Sequence, residues 1–345
     1  MKSFILLSAF TLIGSCATTK YSTKIDNLKN SIQVNDSTAI ATYANTISVE
    51  ELKHNLHTFA SKAFEGRKVG EPGQLKASAF LKEFYKTQHI LPAVGDSTYY
   101  QTVPQSFLPQ GVNSSANVVA YIKGSKVPEE LIIISGHLDH MGVENDSIHF
   151  GADDNGSGTV AMLAIAKAFK QAQSAGYPPK RSLVFLHLTA EEIGLYGSRY
   201  YVSNPIFSLE NTMANLNIDM IGRIDEKHKN NPNYIYLIGA DRLSKHLHFT
   251  SEKINAMFTN LELDYTFNDE EDTNQYYYRS DHYNFAKHNI PVIFYFNGEH
   301  NDYHKPTDTP DKIDYRLLQK RAQLIFATAW QLANQEYHLV HNKDM

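Results

Sequence analysis

Histidines and carboxylates stand in this chain where apolar runs end, and side chains of those types can hold a metal. His137 closes the run Leu131-Ile132-Ile133-Ile134-Ser135-Gly136, and Asp139 follows two residues later. Asp154 lies in Gly151-Ala152-Asp153-Asp154-Asn155-Gly156-Ser157-Gly158, ahead of a helix-like stretch. Glu191 and Glu192 follow the run from Leu183 to Leu188, Asp219 follows Met213 to Ile218, and His304 precedes a proline-punctuated loop. Imidazole nitrogens and carboxylate oxygens are ligands that zinc accepts. Each piece alone has a bland reading: a hydrogen-bonded His137–Asp139 pair, an aspartate cap on a helix, two solvated glutamates at a helix start. Two adjacent carboxylates in one site raise each other's pKa, and a metal removes that conflict. One then ligates, and the other is left beside the metal's water. Asp139 is expected to accept the second ring N–H of His137 and fix its tautomer.

The elements that must position these residues follow from hydrophobic period. Val49, Leu52, Leu56 and Phe59 recur at helical spacing behind Ser48, a suitable N-cap. A second helix is expected from Gln74 to Thr87, a third from Gly158 to Gln171, and a C-terminal one from Asp314 to Glu336. Helices are also expected after Asp241 and after Ser280. Strands are expected at 99–105, 117–122, 131–134, 182–188, 213–218, 234–238, 261–267 and 291–296. Leu131–Ile134 has no polar alternation, as befits a strand covered on both faces. The alternation of types predicts an α/β fold: a single domain with a mixed, mostly parallel central sheet and helices on both faces. Ligands of such sheets bind beyond the carboxyl ends of the strands, where the candidate residues fall.

Taken in order, the five pieces resemble the co-catalytic dizinc exopeptidases of clan MH, which include secreted bacterial leucyl aminopeptidases and glutamate carboxypeptidase II. The resemblance spans Ser48 to the C-terminus, and the Phe64-Glu65-Gly66-Arg67 turn shares in it. It implies a phosphorylase/hydrolase-like fold and two zinc ions bridged by Asp154. His137 and Asp219 would complete one site, and Glu192 and His304 the other. It further implies Glu191 as the general base and a cis peptide between Asp154 and Asn155. Tyr303, beside His304, matches a tyrosine that stabilises the oxyanion in some members, and Tyr277 sits where others carry theirs. Peptides are the implied substrates. An aminopeptidase would surround the free amine with carboxylates, whereas a carboxypeptidase or dipeptidase needs a cation for the substrate carboxylate, for which Arg223 and Arg279 are candidates. Single-zinc glutaminyl cyclases, a third alternative, depart from the Glu-Glu pair that is intact here. Non-catalytic binding ectodomains, a fourth, usually lose ligands, and all five are present. The acidic loop Asp269-Glu270-Glu271-Asp272 reads as solvated surface, and Asn274 to Tyr278 as an aromatic pocket wall.

The 345 residues, net charge −5, contain no basic stripe that could neutralise a phosphate backbone, so nucleic acid is not an expected partner. Met1-Lys2-Ser3 and the short apolar run to Ile13 read as a signal peptide. Ile13-Gly14-Ser15-Cys16 resembles a bacterial lipobox, which implies cleavage before Cys16 and lipid attachment to it. Cys16 is the only cysteine and has no disulfide partner. The expected organisation is a signal peptide over 1–15, a lipidated Cys16 and flexible tether over 16–46, with the amphipathic fit around Ile25 and Leu28 leaving room for a short helix in it, and a catalytic domain over 47–345. The protein is then exported and lipid-anchored at the bacterial outer membrane, on its periplasmic or cell-surface face.

Overall fold

A computed structural model of the protein describes residues 20–93 and 98–345. The expected signal peptide and lipidated Cys16 lie outside the described residues. In chain order the elements begin with α1 (Tyr21–Ser31), α2 (Ser37–Ala44), α3 (Val49–Phe59) and α4 (Pro72–Thr87). They are followed by β1 (Leu91–Pro92), β2 (Tyr100–Val103), β3 (Ser115–Ile122), β4 (Val127–His137), β5 (Gly142–Glu144) and β6 (Ser147–His149). Next come α5 (Gly158–Ser174), β7 (Arg181–Leu188), α6 (Tyr196–Ser203), β8 (Thr212–Ile218) and β9 (Tyr234–Ile238). The chain closes with α7 (Lys245–Phe258), β10 (Glu262–Asp264), α8 (His282–Ala286), β11 (Val292–Phe296) and α9 (Tyr315–Asn334).

Nine strands form one sheet in the order β1-β3-β7-β4-β8-β11-β9-β10, with β2 on β3. The central run β7-β4-β8-β11 is parallel, and the flanks at β3 and β9 turn antiparallel. Side chains alternate across the pleat, so each central strand feeds two cores. Ile132, Ile134, Leu183, Phe185 and Leu216 meet α3, α5 and α9 on one face. Leu131, Ile133, Val184, Leu186 and Phe294 meet Tyr201 of α6 and Phe285 of α8 on the other. That double burial is why these strands read as unbroken apolar runs. Because the four central strands run the same way, their carboxyl ends share one edge of the sheet.

Most expected elements are present with shifted ends. Ser48 caps α3 by accepting from the Glu51 N–H at 3.1 Å. The strand expected over 261–267 stops at Asp264, whose carboxylate turns inward to accept from the Thr266 N–H at 2.8 Å and starts a 3-10 turn. Helix α6 carries Tyr196, Tyr200 and Tyr201 rather than a clear apolar stripe, and the sequence reading had no helix there.

The tether is the larger correction. Residues 21–31 and 37–44 are helical, Ile32 is buried, and Ile40, Ala44 and Ile47 are buried in the domain's main core. Gln331 on α9 donates to the Gln33 carbonyl at 2.8 Å, and Gln323 donates to that of Ala44 at 3.2 Å. The segment is stitched to the last helix of the fold, so the domain begins well before residue 47. Among the described residues, no helix is long and apolar enough to cross a membrane.

Ile40 is fully buried. Ile40→Ala is therefore expected to lower unfolding stability by about 2–4 kcal/mol, read from urea denaturation. A tether residue would leave the transition unmoved.

Candidate active site

Each strand of the central run delivers a polar side chain to the shared edge. His137 is the last residue of β4, Glu191 and Glu192 follow β7 by a short turn, Asp219 follows β8 directly, and His304 comes from the loop after β11. Three sharp backbone reversals aim them: Ala190, Met220 and His304 have φ of 57°, 58° and 55°. Such values are uncommon for residues other than glycine and are held here by the surrounding structure.

Asp154 is the centre. Its Oδ1 lies 3.2 Å from His137 Nε2, and its Oδ2 lies 3.1 Å from His304 Nε2. His137 Nε2 also lies 3.2 Å from Asp219 Oδ1, and His304 Nε2 lies 3.3 Å from Glu192 Oε2. One carboxylate thus faces two separate imidazole–carboxylate pairs. The Asp154–Asn155 peptide is cis, as the resemblance implied. Ligand atoms of His137, Asp154 and Glu192 lie within 4.8 Å of one another, as do those of His137, Glu191 and Asp219. Nitrogen and oxygen donors converging at that range, buried and without enough cationic partners, fit divalent zinc.

The loop carrying Asp154 is held from several sides. Asp308 Oδ2 accepts from the N–H groups of Asp153 and Asp154 at 2.9 and 3.2 Å. Asn155 donates to the Ile218 carbonyl at 2.8 Å and accepts from the Met220 N–H at 3.2 Å, tying the loop to the strand that presents Asp219. A Cβ on Gly158 would fall 2.2 Å from Asn155 Oδ1, so the small residues are where backbones pass closely. Ser280 donates to Asp219 Oδ2 at 2.7 Å. Arg67 is fully buried and donates to the carbonyls of Leu138, Phe150 and Gly151 at 3.0, 2.8 and 2.8 Å, joining the His137 strand end to the Asp154 loop.

Two expectations are corrected by this geometry. The Nδ1 of His137 meets the main-chain oxygen of Asp139 at 3.2 Å, while the Asp139 carboxylate stands 4.0 Å away. A carbonyl can only accept, so the neutral ring carries its proton on Nδ1 and turns its Nε2 lone pair to the cluster. The Asp139 carboxylate instead accepts from the Glu191 N–H at 3.2 Å. Tyr303 lines the cavity over the cluster, stacked on His304 with ring centroids 3.8 Å apart. Tyr277 packs beneath Arg242, with 3.9 Å to the ring centroid, and is absent from that cavity's wall. Of the expected aromatic wall, Tyr276 is the residue that lines it, together with Met220, Phe294 and Phe296.

Sequence reasoning gave no role to His140, Asp281, Asp308 or Arg67. His140 Nδ1 lies 2.6 Å from Glu192 Oε1 and 3.7 Å from Asp154 Oδ2, inside the cluster. Its position in Ser135-Gly136-His137-Leu138-Asp139-His140 was the available signal. Asp281 is fully buried, and among the described residues neither carboxylate oxygen has a hydrogen-bond partner.

The electrostatics record a surplus of negative charge. Burial, reinforced by Asp219, Glu192 and Asp281, pushes the Glu191 carboxyl well above its ordinary range. Burial raises Asp281 to about 7 and Asp139 to about 6. For His304 burial works the other way, but hydrogen bonding to Asp154 and Glu192 prevails and lifts it to about 10. Burial likewise opposes ionisation of Asp154, yet the bonds from His137 and His304 hold its carboxyl well below the usual range.

The N-terminal edge of the matched region falls on β3. The description "Peptidase family M28" fits residues 117–329, a span that takes in all five candidate ligands. A probable leucine aminopeptidase 2 of Aspergillus oryzae is 38% identical over 123 residues, which are 35% of this chain and 21% of that protein. The chain spans no more than about half the length of such curated relatives. Among solved structures, the LapA aminopeptidase of Legionella pneumophila superposes with a TM-score of 0.67 at 21% identity, over 88% of this chain and 76% of that one. A zinc aminopeptidase of Bacillus subtilis gives 0.65 at 16% identity, over 84% and 96%. At such identities the structural likeness establishes the fold.

The raised groups set the pH dependence of the metal-free protein. Stability that accompanies protonated Asp139 and Asp281 is present near their unfolded value of 3.8 and is lost as pH rises through about 6 and about 7. His304, raised from 6.5 to about 10, contributes below 6.5 and loses its contribution as pH climbs through 10. All three have the same sign. Urea midpoints of chelator-treated protein are expected to fall from about pH 5 to about pH 8, with zinc reversing the loss. A midpoint that rises over that window would contradict the charge surplus.

Proposed function

Because the chain belongs to peptidase family M28, we propose that it is a zinc aminopeptidase that removes the N-terminal residue of peptides. The observation that carries the reading is the double use of Asp154, whose two oxygens face His137 at 3.2 Å and His304 at 3.1 Å. Two zinc ions per chain are proposed, with Asp154 common to both. His137 and Asp219 would complete the site of one, and Glu192 and His304 that of the other. When bound, the ions supply Lewis-acid polarisation of the scissile carbonyl and acidify a water.

The chain's own residues do the rest. Glu191 is not needed as a ligand in this scheme and stands 4.0 Å from His137 Nε2, free to move a proton. Burial raises its pKa, as suits a group that must accept a proton, and cations bound beside it would oppose that rise. It takes a proton from the attacking water and returns it to the leaving amine. Asp139 acts as a positioning residue, holding the Glu191 main chain through its N–H. Burial, with the nearby carboxylates, keeps the Tyr303 hydroxyl protonated far above neutrality, so it can donate to the developing oxyanion. Glu191 and Asp219 give the cavity the acidic lining that a free α-amine requires.

A carboxypeptidase is the second reading, and Arg279 is the residue that favours it. Arg279 lines the cavity, but its guanidinium is paired with Glu299 at 3.2 Å. Arg223 is engaged by Asp302 at 2.9 Å and lines a different cavity. Export and lipid anchoring through Cys16 belong to the proposal on the strength of the sequence pattern alone.

Glu191→Gln is expected to keep its zinc by elemental analysis and lose about 10²–10⁴-fold in kcat on an aminoacyl anilide. A near-native rate in that variant would remove Glu191 as the base. Tyr303→Phe is expected to lower kcat by about 10²–10³-fold with KM little changed. Peptides with a free amine should be cleaved and their N-acetylated forms left intact. The reverse pattern would favour the carboxypeptidase.

A further inference from the structure

We propose that a groove adjoining Glu192 and His304 receives the leaving part of the substrate, and that Lys68 at its rim binds the C-terminal carboxylate of di- and tripeptides. This rests on the aminopeptidase reading and adds the substrate class.

Two cavities meet at the cluster, sharing Glu192 and His304 and no other lining residue. The one lined by Glu191, Tyr303 and Phe296 is narrow, about 40 Å³. The second is about 390 Å³ and is lined by Val69, Met141 and Ile193, with Lys68. An exopeptidase that removes one N-terminal residue needs a confined space on the amine side of the scissile bond and a larger one beyond it. The difference in size assigns the second cavity to the leaving peptide.

Its wall has the chemistry of a peptide's C-terminal end. Val69, Met141 and Ile193 offer apolar contact to a side chain, and Ile193 is left 37% exposed, which suits it to cover by a ligand. Asp139 and Glu144 also line the groove, and Lys68 is the one lysine or arginine among its lining residues. Lys68 is well held for this task. Its neighbour Arg67 is buried and fastened to three main-chain carbonyls on either side of the cluster. The lysine's own methylenes lie across Gly142, so close that a Cβ there would meet its Cβ at 2.5 Å and its Cδ at 3.0 Å. Glu65, a nearby carboxylate in the same turn, is occupied by Lys76 at 2.6 Å. One or two extended residues beyond the scissile bond span roughly 3–7 Å, which limits the peptides whose terminus meets the ammonium.

The test compares Ala-Leu with Ala-Leu-amide on the zinc-loaded full chain, with alanyl-p-nitroanilide as a probe that lacks both a leaving residue and a carboxylate. For the wild type, amidation is expected to raise KM roughly five- to twentyfold, as the loss of one charge-assisted contact would. Lys68→Met should bring the acid-to-amide ratio of kcat/KM to about one, Lys68→Glu should invert it, and Lys68→Arg should preserve it. A ratio measured on one preparation does not depend on how much of it is folded. Equal kinetics on acid and amide in the wild type, or a ratio that survives in Lys68→Met, would overturn the lysine subsite while anilide turnover upholds the aminopeptidase. No turnover of anilide or peptide would remove both.

Discussion

Like charges gathered at the ends of parallel strands repel one another, and this molecule concentrates such charges where water is scarce. Asp139, Asp154, Glu191, Glu192, Asp219 and Asp281 converge on one edge of the sheet, with three imidazoles among them. Removing a carboxylate from water costs several kcal/mol unless a cation or donors replace the lost hydration. The protein supplies part of that compensation through His137, His140, His304 and the main-chain N–H groups that face Asp139 and Asp308. The remainder calls for metal, and the two zinc ions proposed here would share the carboxylate that the two imidazole–carboxylate pairs flank. Metal affinity and folding are therefore coupled here, since ions that bind only the folded chain stabilise it.

Geometry at such a site cannot be left to the side chains alone. Left-handed turns at Ala190, Met220 and His304 set the direction of three of the functional groups. Arg67 ties the end of β4 to the loop of Asp154, and Asn155 ties that loop to the turn at Met220. Loop positions held this tightly behave as part of the scaffold, which is the condition for placing a proton-transfer group beside a metal. Lys68, the next residue after Arg67, lies with its methylenes against Gly142 at the proposed leaving-group groove.

The parts legible in the sequence were those written in one-dimensional pattern. Ile132 to Ile134 and Leu183 to Leu188 are covered on both faces, and continuous burial leaves a continuous apolar run. A strand end followed by His or Asp is equally readable, which is why His137 and Asp219 stood out. What stayed hidden depends on contacts far apart along the chain. Arg67 reaches Gly151 across 84 positions, and Asp308 reaches Asp153 across 155. The left-handed turns fall on alanine, methionine and histidine, residues that give no local sign of that conformation. Ile32, Ile40 and Ala44 are too sparse to announce a core, and it takes α5 and α9, far along the chain, to cover α2. His140 shared a motif with His137, but spacing could not tell a residue beside Glu192 from one facing solvent.

The most direct test of this account is anomalous scattering from crystals of the zinc-loaded protein, recorded on both sides of the zinc absorption edge. Two peaks are predicted, one on each side of the Asp154 carboxylate, the first beside His137 and Asp219 and the second beside Glu192 and His304. A single peak, or a zinc ion that makes no contact with Asp154, would contradict it.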